Sequence, residues 1–94
     1  MTTAYDLTPD WNAANRYDVT TAATLLMTNT SAYDIRWART ADILQPLLDP
    51  QVAAMLRSGE SISLSIPGGQ SLWLAAHPRG SVAVDVFPYT GQGV

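Results

Sequence analysis

The chain has 94 residues, 47% of them hydrophobic and 14% charged, with five arginines, no lysine, no cysteine and a net charge of −3. That length holds one domain with a core of its own and leaves no room for a second. The absence of cysteine excludes disulfides and thiolate chemistry, and the acidic balance excludes a sequence-independent grip on nucleic acid, which needs a basic stripe to displace counterions from phosphates.

Residues 1–15 are rich in Thr, Asp, Asn and Ala, contain Pro9, and show neither a period of 2 nor one of 3.6, so they are expected to form an irregular N-terminal arm. Tyr5, Leu7, Trp11 and, just beyond, Tyr17 are too apolar to be left in water, and they are expected to lie on a protein surface, as interface residues. No basic stretch followed by an apolar one occurs in residues 1–20, which predicts a chain not exported by a standard signal. No apolar run is long enough to span a bilayer.

From Arg16 the pattern changes to short alternating runs divided by turn residues, the spacing of a sandwich or barrel. Arg16-Tyr17-Asp18-Val19-Thr20 alternates, and Ala23-Thr24-Leu25-Leu26-Met27-Thr28 is a more apolar run that ends in the polar turn Asn29-Thr30-Ser31. Beyond that turn, Tyr33, Ile35 and Trp37 share one face of a strand while Asp34 and Arg36 share the other. These two runs read as a hairpin.

Residues 40–59 break the rhythm. Pro46 and Pro50 forbid one continuous helix, but Asp49 can cap a short one, Pro50 suits its first position and Gly59 can close it. About two helical turns are expected here, with Val52, Met55 and Leu56 on one face and Ile43, Leu44, Leu47 and Leu48 tucked beneath, over an open end of the sandwich.

Ser61-Ile62-Ser63-Leu64-Ser65-Ile66 alternates strictly, Pro67-Gly68-Gly69-Gln70 is turn chemistry, and Leu72-Trp73-Leu74-Ala75-Ala76 resumes a strand, so the unit reads as a second hairpin. Pro78-Arg79-Gly80 supplies the next turn, and Val82-Ala83-Val84-Asp85-Val86-Phe87 forms a last strand that Pro88 ends. The expected fold is a small antiparallel β-sandwich of five to seven strands with a short helix in the 40–59 connection. An open β-barrel is the alternative. Residues 1–15 would be an arm, 16–88 the sandwich and 89–94 a C-terminal tail, where Tyr89 joins the expected interface residues.

The chain offers little chemistry. His77 is the only histidine, and Ser71 or Ser81 with Asp85 would have to complete a triad around it, yet no Gly-x-Ser-x-Gly elbow exists. Eight acidic residues are candidates for a glycosidase pair, namely Asp6, Asp10, Asp18, Asp34, Asp42, Asp49, Glu60 and Asp85, but most have simpler duties as caps or outward strand positions. One histidine and no cysteine argue against a metal site, and Gly68-Gly69 lacks the lysine of a phosphate loop. No catalytic, cofactor-binding or metal residue is assigned, no cofactor is expected, and the chain is read as non-enzymatic. Asn29-Thr30-Ser31 matches the glycosylation sequon but reads more simply as a turn. Trp11, Trp37 and Trp73 could form a platform for sugar rings, although core or subunit interface is the favoured reading.

One resemblance bears on function. Gly59-Glu60 precedes the alternating strand, the Gly-rich turn at 67–70 follows, then come Leu72-Trp73 and a closing valine strand. Thr28-Asn29-Thr30-Ser31 precedes the aromatic-bearing strand Tyr33-Asp34-Ile35-Arg36-Trp37. Together these segments resemble small β-sandwich structural proteins of tailed bacteriophages and prophages. The resemblance implies a virion structural protein, in a capsid, tail or fibre, assembled in the bacterial cytoplasm and acting as a homo-oligomer among other virion proteins. No nucleic-acid or membrane partner is expected. A carbohydrate-binding or host-attachment module, with a glycan as partner, is the alternative. A charged fraction well under the quarter usual for soluble domains fits surface hidden in an assembly.

Overall fold

Alternation of small polar and branched apolar residues sets the direction in which each strand faces. In a computed structural model, which describes residues 2–47 and 49–88, these runs form β1 (Thr2–Leu7), β2 (Arg16–Asp18), β3 (Ala23–Asn29), β4 (Ile35–Thr40), β5 (Ala54–Leu56), β6 (Ser61–Ile66), β7 (Ser71–Ala76) and β8 (Gly80–Pro88). Two four-stranded antiparallel sheets result, ordered β1-β8-β3-β6 and β2-β7-β4-β5, and they do not close into a barrel. The expected sandwich is therefore present, with eight strands among the described residues.

The pairings nest. β1 lies against β8, β2 against β7, β3 against β6 and β4 against β5, as if the chain were one long hairpin centred on the β4–β5 connection and then rolled so that successive pairs fall in alternate sheets. Rolling adds the contacts of β3 with β8 and of β4 with β7 that complete each sheet. This is the strand order of a jelly roll.

Between the sheets lies the core. The inward faces supply Leu7 from β1, Leu25 and Met27 from β3, Ile66 from β6 and Val82 and Val84 from β8, against Ile35, Leu56, Leu72 and Leu74 from the other sheet. The outward serines of β6 meet threonines of β3 across the strand boundary, with Ser61 Oγ 2.9 Å from Thr28 Oγ1 and Ser65 Oγ 3.4 Å from Thr24 Oγ1. Such cross-strand pairs reinforce the register that puts Ile62, Leu64 and Ile66 inside.

β7 is buried along its whole length. Its second face, Trp73 and Ala75, is covered by Trp11 and Ala53, which come from the connections β1–β2 and β4–β5. A strand hidden on both faces can be apolar throughout, which accounts for the run Leu72-Trp73-Leu74-Ala75-Ala76.

Several expectations need correction. Neither hairpin exists: β3 and β4 are in different sheets, as are β6 and β7. The 67–70 turn does not close on itself but is held by β2's continuation, where Val19 N donates to Gln70 O (2.9 Å) and Gly69 N to Val19 O (2.6 Å). Residues 2–7 are an integral strand rather than an irregular arm, because β8 offers them a full six-residue register. The helix in the 40–59 connection is a single 3-10 turn at Pro50–Val52, with Asp49 Oδ1 capping Gln51 N at 2.9 Å and Pro50 at its start. Met55 and Leu56 belong to β5, which docks on β4. Ile43, Leu44 and Leu47 are exposed rather than tucked beneath it. Leu48 and the 89–94 tail, including Tyr89, lie outside the described residues.

Candidate functional site

Rolling the hairpin brings the β1–β2, β3–β4, β5–β6 and β7–β8 connections to one end of the sandwich. Backbone bonds tie them there. Ala76 N donates to Thr8 O (2.9 Å), Asn29 N to Glu60 O (2.9 Å), Gly59 N to Asn29 O (3.1 Å) and Thr30 N to Ser81 O (3.2 Å). Ser58 Oγ adds a bond to Ser31 O at 2.6 Å.

At this end an open cleft of about 810 Å³ forms, lined by Pro9 and Asp10 of the first connection, Ala32, Tyr33 and Asp34 of the second, Arg36 of β4, Asp49, Pro50 and Gln51 of the 3-10 turn, and Ala76 and His77 at the end of β7. Arg36 is held in place, its Nη1 donating to Ala53 O at 3.3 Å. Asp49 is held as well, through its cap to Gln51 N. Among the described residues the side chains of Asp10, Tyr33, Asp34 and His77 form no hydrogen bond with protein. Tyr33 is 37% exposed, and it also borders a smaller hollow of about 210 Å³ lined by Ser31, Arg79, Gly80 and Ser81. Tyr33 thus borders both depressions.

The residues singled out by sequence are placed elsewhere. Leu7 and Trp11 are buried in this chain's own core, so they are not free to meet a neighbour. Tyr5 and Tyr17 are half-buried against the main core; burial, with the charges of Tyr17 and Asp18 added, raises the pKa of Tyr5. Trp73 is buried beneath Arg16, whose guanidinium lies 5.3 Å from the ring centroid, and its Nε1 donates to Thr40 Oγ1 at 3.1 Å. Arg16 is itself fixed by Asp18 (Nε to Oδ1 2.7 Å, Nη2 to Oδ2 3.1 Å) and by Ile43 O (3.3 Å from Nη1). The hydrogen bond from Arg16, with a second from Ser71 Oγ at 2.8 Å, holds the Asp18 carboxyl below its ordinary pKa against a smaller effect of burial. Trp37 packs against the main core, with its Nε1 buried. No tryptophan is therefore an exposed platform.

The nominated triad does not assemble. Ser71 is buried on the outer side of one sheet, bonded to Asp18, while Asp85 sits on the outer side of the other sheet at a position opposite Leu26. Ser81 Oγ pairs with Thr30 Oγ1 at 2.8 Å. Three of the eight acidic residues, Asp10, Asp34 and Asp49, do share the cleft. Among the described residues no group of three or more acidic or histidine side chains is arranged to hold a metal ion. Spacing along the chain could not have shown the cleft, because its walls come from four connections and two strands scattered between residues 9 and 77.

Comparison of this chain with protein-family models, with curated proteins and with solved structures finds no match.

Proposed function

We propose that this protein is a non-enzymatic structural subunit that assembles with copies of itself and with other proteins of a phage or prophage particle. One observation carries the assembly reading. The β4–β5 connection leaves a run of large apolar side chains uncovered, with Leu44 69% and Leu47 105% exposed and Ile43 and Val52 more than half exposed. Apolar groups grouped in this way cost free energy in water and mark interaction surfaces. Low overall charge places little repulsion between copies, and Met55 on the edge strand β5 is exposed as well. A second copy placed across a two-fold axis would cover the same residues on both chains.

The virion setting rests on the resemblance of the 28–38 and 56–75 segments to phage β-sandwich proteins, and a jelly-roll order suits it, since this architecture serves viral capsids among other uses. Light scattering tests the assembly. The wild-type chain should have a mass that is a multiple of 10.1 kDa, and Leu44→Asp with Leu47→Asp should return it to that of one chain with an unchanged circular dichroism spectrum. A wild-type protein that stays at the single-chain mass at high concentration overturns the reading. The setting has its own check, since genes for terminase, portal or tail proteins should flank the gene for this chain.

A further inference from the structure

We infer that the cleft at the connection end of the sandwich binds a neutral saccharide of at least two sugar units, laid across Tyr33. This goes beyond the assembly reading and does not depend on it.

The chemistry of the lining narrows the ligand. Asp10, Asp34 and Asp49 bring three carboxylates, and Arg36 brings a guanidinium anchored from behind by Ala53 O. An anionic ligand would face the three carboxylates, and an organic cation would share the cleft with the Arg36 guanidinium. A neutral polyhydroxylated ligand meets neither conflict. Each sugar hydroxyl is both donor and acceptor, so it can give its proton to a carboxylate while accepting from Arg36, from the Gln51 amide or from His77. A metal ion is not needed to explain the acids, since they are not grouped for one among the described residues.

Tyr33 supplies the apolar part of the contact. Its ring is partly exposed on a short loop whose course is fixed from beneath, because Asn29 Nδ2 bonds to Tyr33 O at 2.7 Å and Ser31 Oγ to the same oxygen at 3.2 Å. The backbone beneath the ring is thereby fixed, and an aromatic side chain with only two rotatable bonds offers an apolar face at a small ordering cost on binding. Tyr33 borders both depressions, about 810 and 210 Å³, and a ligand that enters both sets the minimum length. One sugar ring occupies the large cleft, and the next extends past Tyr33 toward Ser31 and Ser81.

Saturation-transfer NMR and titration calorimetry test the assignment on the full chain. The probes are glucose, galactose, mannose and N-acetylglucosamine, each alone and as its β-linked or α-linked disaccharides, with putrescine as a cationic comparison. At least one disaccharide should bind with a Kd on the order of 1 mM or tighter, and more tightly than its parent monosaccharide. Tyr33→Ala and Asp34→Asn, both at exposed positions, should each weaken that binding by about tenfold while the melting temperature holds. Ser63→Ala, on the outer face of β6, should leave it unchanged. Absence of saturable binding by every saccharide, saturation by putrescine alone, or binding that survives the combined Tyr33→Ala and Asp34→Asn change overturns the inference. Light scattering on the same samples reads assembly separately, so failure of one proposal is not failure of the other.

Discussion

Asn29 shows how much a single side chain can settle. It is 1% exposed, at the end of β3. Its amide nitrogen donates to Tyr33 O (2.7 Å) and Leu56 O (3.0 Å), and its oxygen accepts from Ser31 N (2.9 Å) and Ser31 Oγ (2.8 Å). One amide thereby uses both of its donors and both of its acceptor sites, and it bolts β3 of one sheet to β5 of the other. Replacement by alanine would strand buried carbonyls and an amide N–H, and Asn29→Ala is expected to lower unfolding free energy by about 2–3 kcal/mol in urea titrations. Asn29→Asp should do comparable harm, since a carboxylate oxygen would face the Tyr33 and Leu56 carbonyls. In the sequence, Asn29-Thr30-Ser31 is legible only as a polar turn. Nothing local reveals that the asparagine turns inward, because its partner at Leu56 is supplied by a strand 27 residues further on. In the folded chain the sequon asparagine is buried.

Strand positions were legible because alternation is a local property. Ile62, Leu64 and Ile66 face the core as their spacing predicts, and the valines of β8 do likewise. Strand partners were not legible, since a turn of four residues can equally well close a hairpin or carry the chain across to the opposite sheet. The 67–70 connection does the latter, and close packing against the 19–22 turn explains Gly68, as backbone conformation explains Gly69. A Cβ on Gly68 would stand 2.7 Å from the carbonyl oxygen of Thr20, while Gly69 has a φ of +92°. Gly68→Ala must therefore push two connections apart, with an expected cost of about 1–3 kcal/mol in chemical denaturation. A hairpin turn at this place would have left room for the methyl group, so an unchanged stability would contradict the crossing between sheets. The Trp73 side chain illustrates the same limit from another direction. Its strand was identifiable, but only the fold shows that Trp11 and Arg16 close over its outer face.

Across the whole molecule, the first strand and the last share a sheet. β1 contributes Leu7 to the core and pairs with β8 through six residues, from Thr2↔Asp85 to Leu7↔Gly80. Removing residues 2–7 should abolish cooperative unfolding, followed by circular dichroism in urea, rather than release a folded chain from an assembly. A detachable arm would give the second result. This strand is hidden in the sequence because its partner is some eighty positions away and Thr-Thr-Ala-Tyr-Asp-Leu carries only a weak alternation. The cleft was equally hidden. Asp10, Asp34 and His77 are ordinary loop residues until the roll of the chain places them around one hollow.

The nested pairing also governs how the protein is made. While it is being synthesised, the only partners in correct order are β4 and β5, the innermost pair; β3 must wait for β6, β2 for β7 and β1 for β8. Each half-grown chain therefore carries unmatched, apolar strand edges as it leaves the ribosome, and closure of the outermost pair comes last. Such distant pairings place the chain among slow folders, on the order of milliseconds to seconds. A producing cell must shield these intermediates from one another for at least that long.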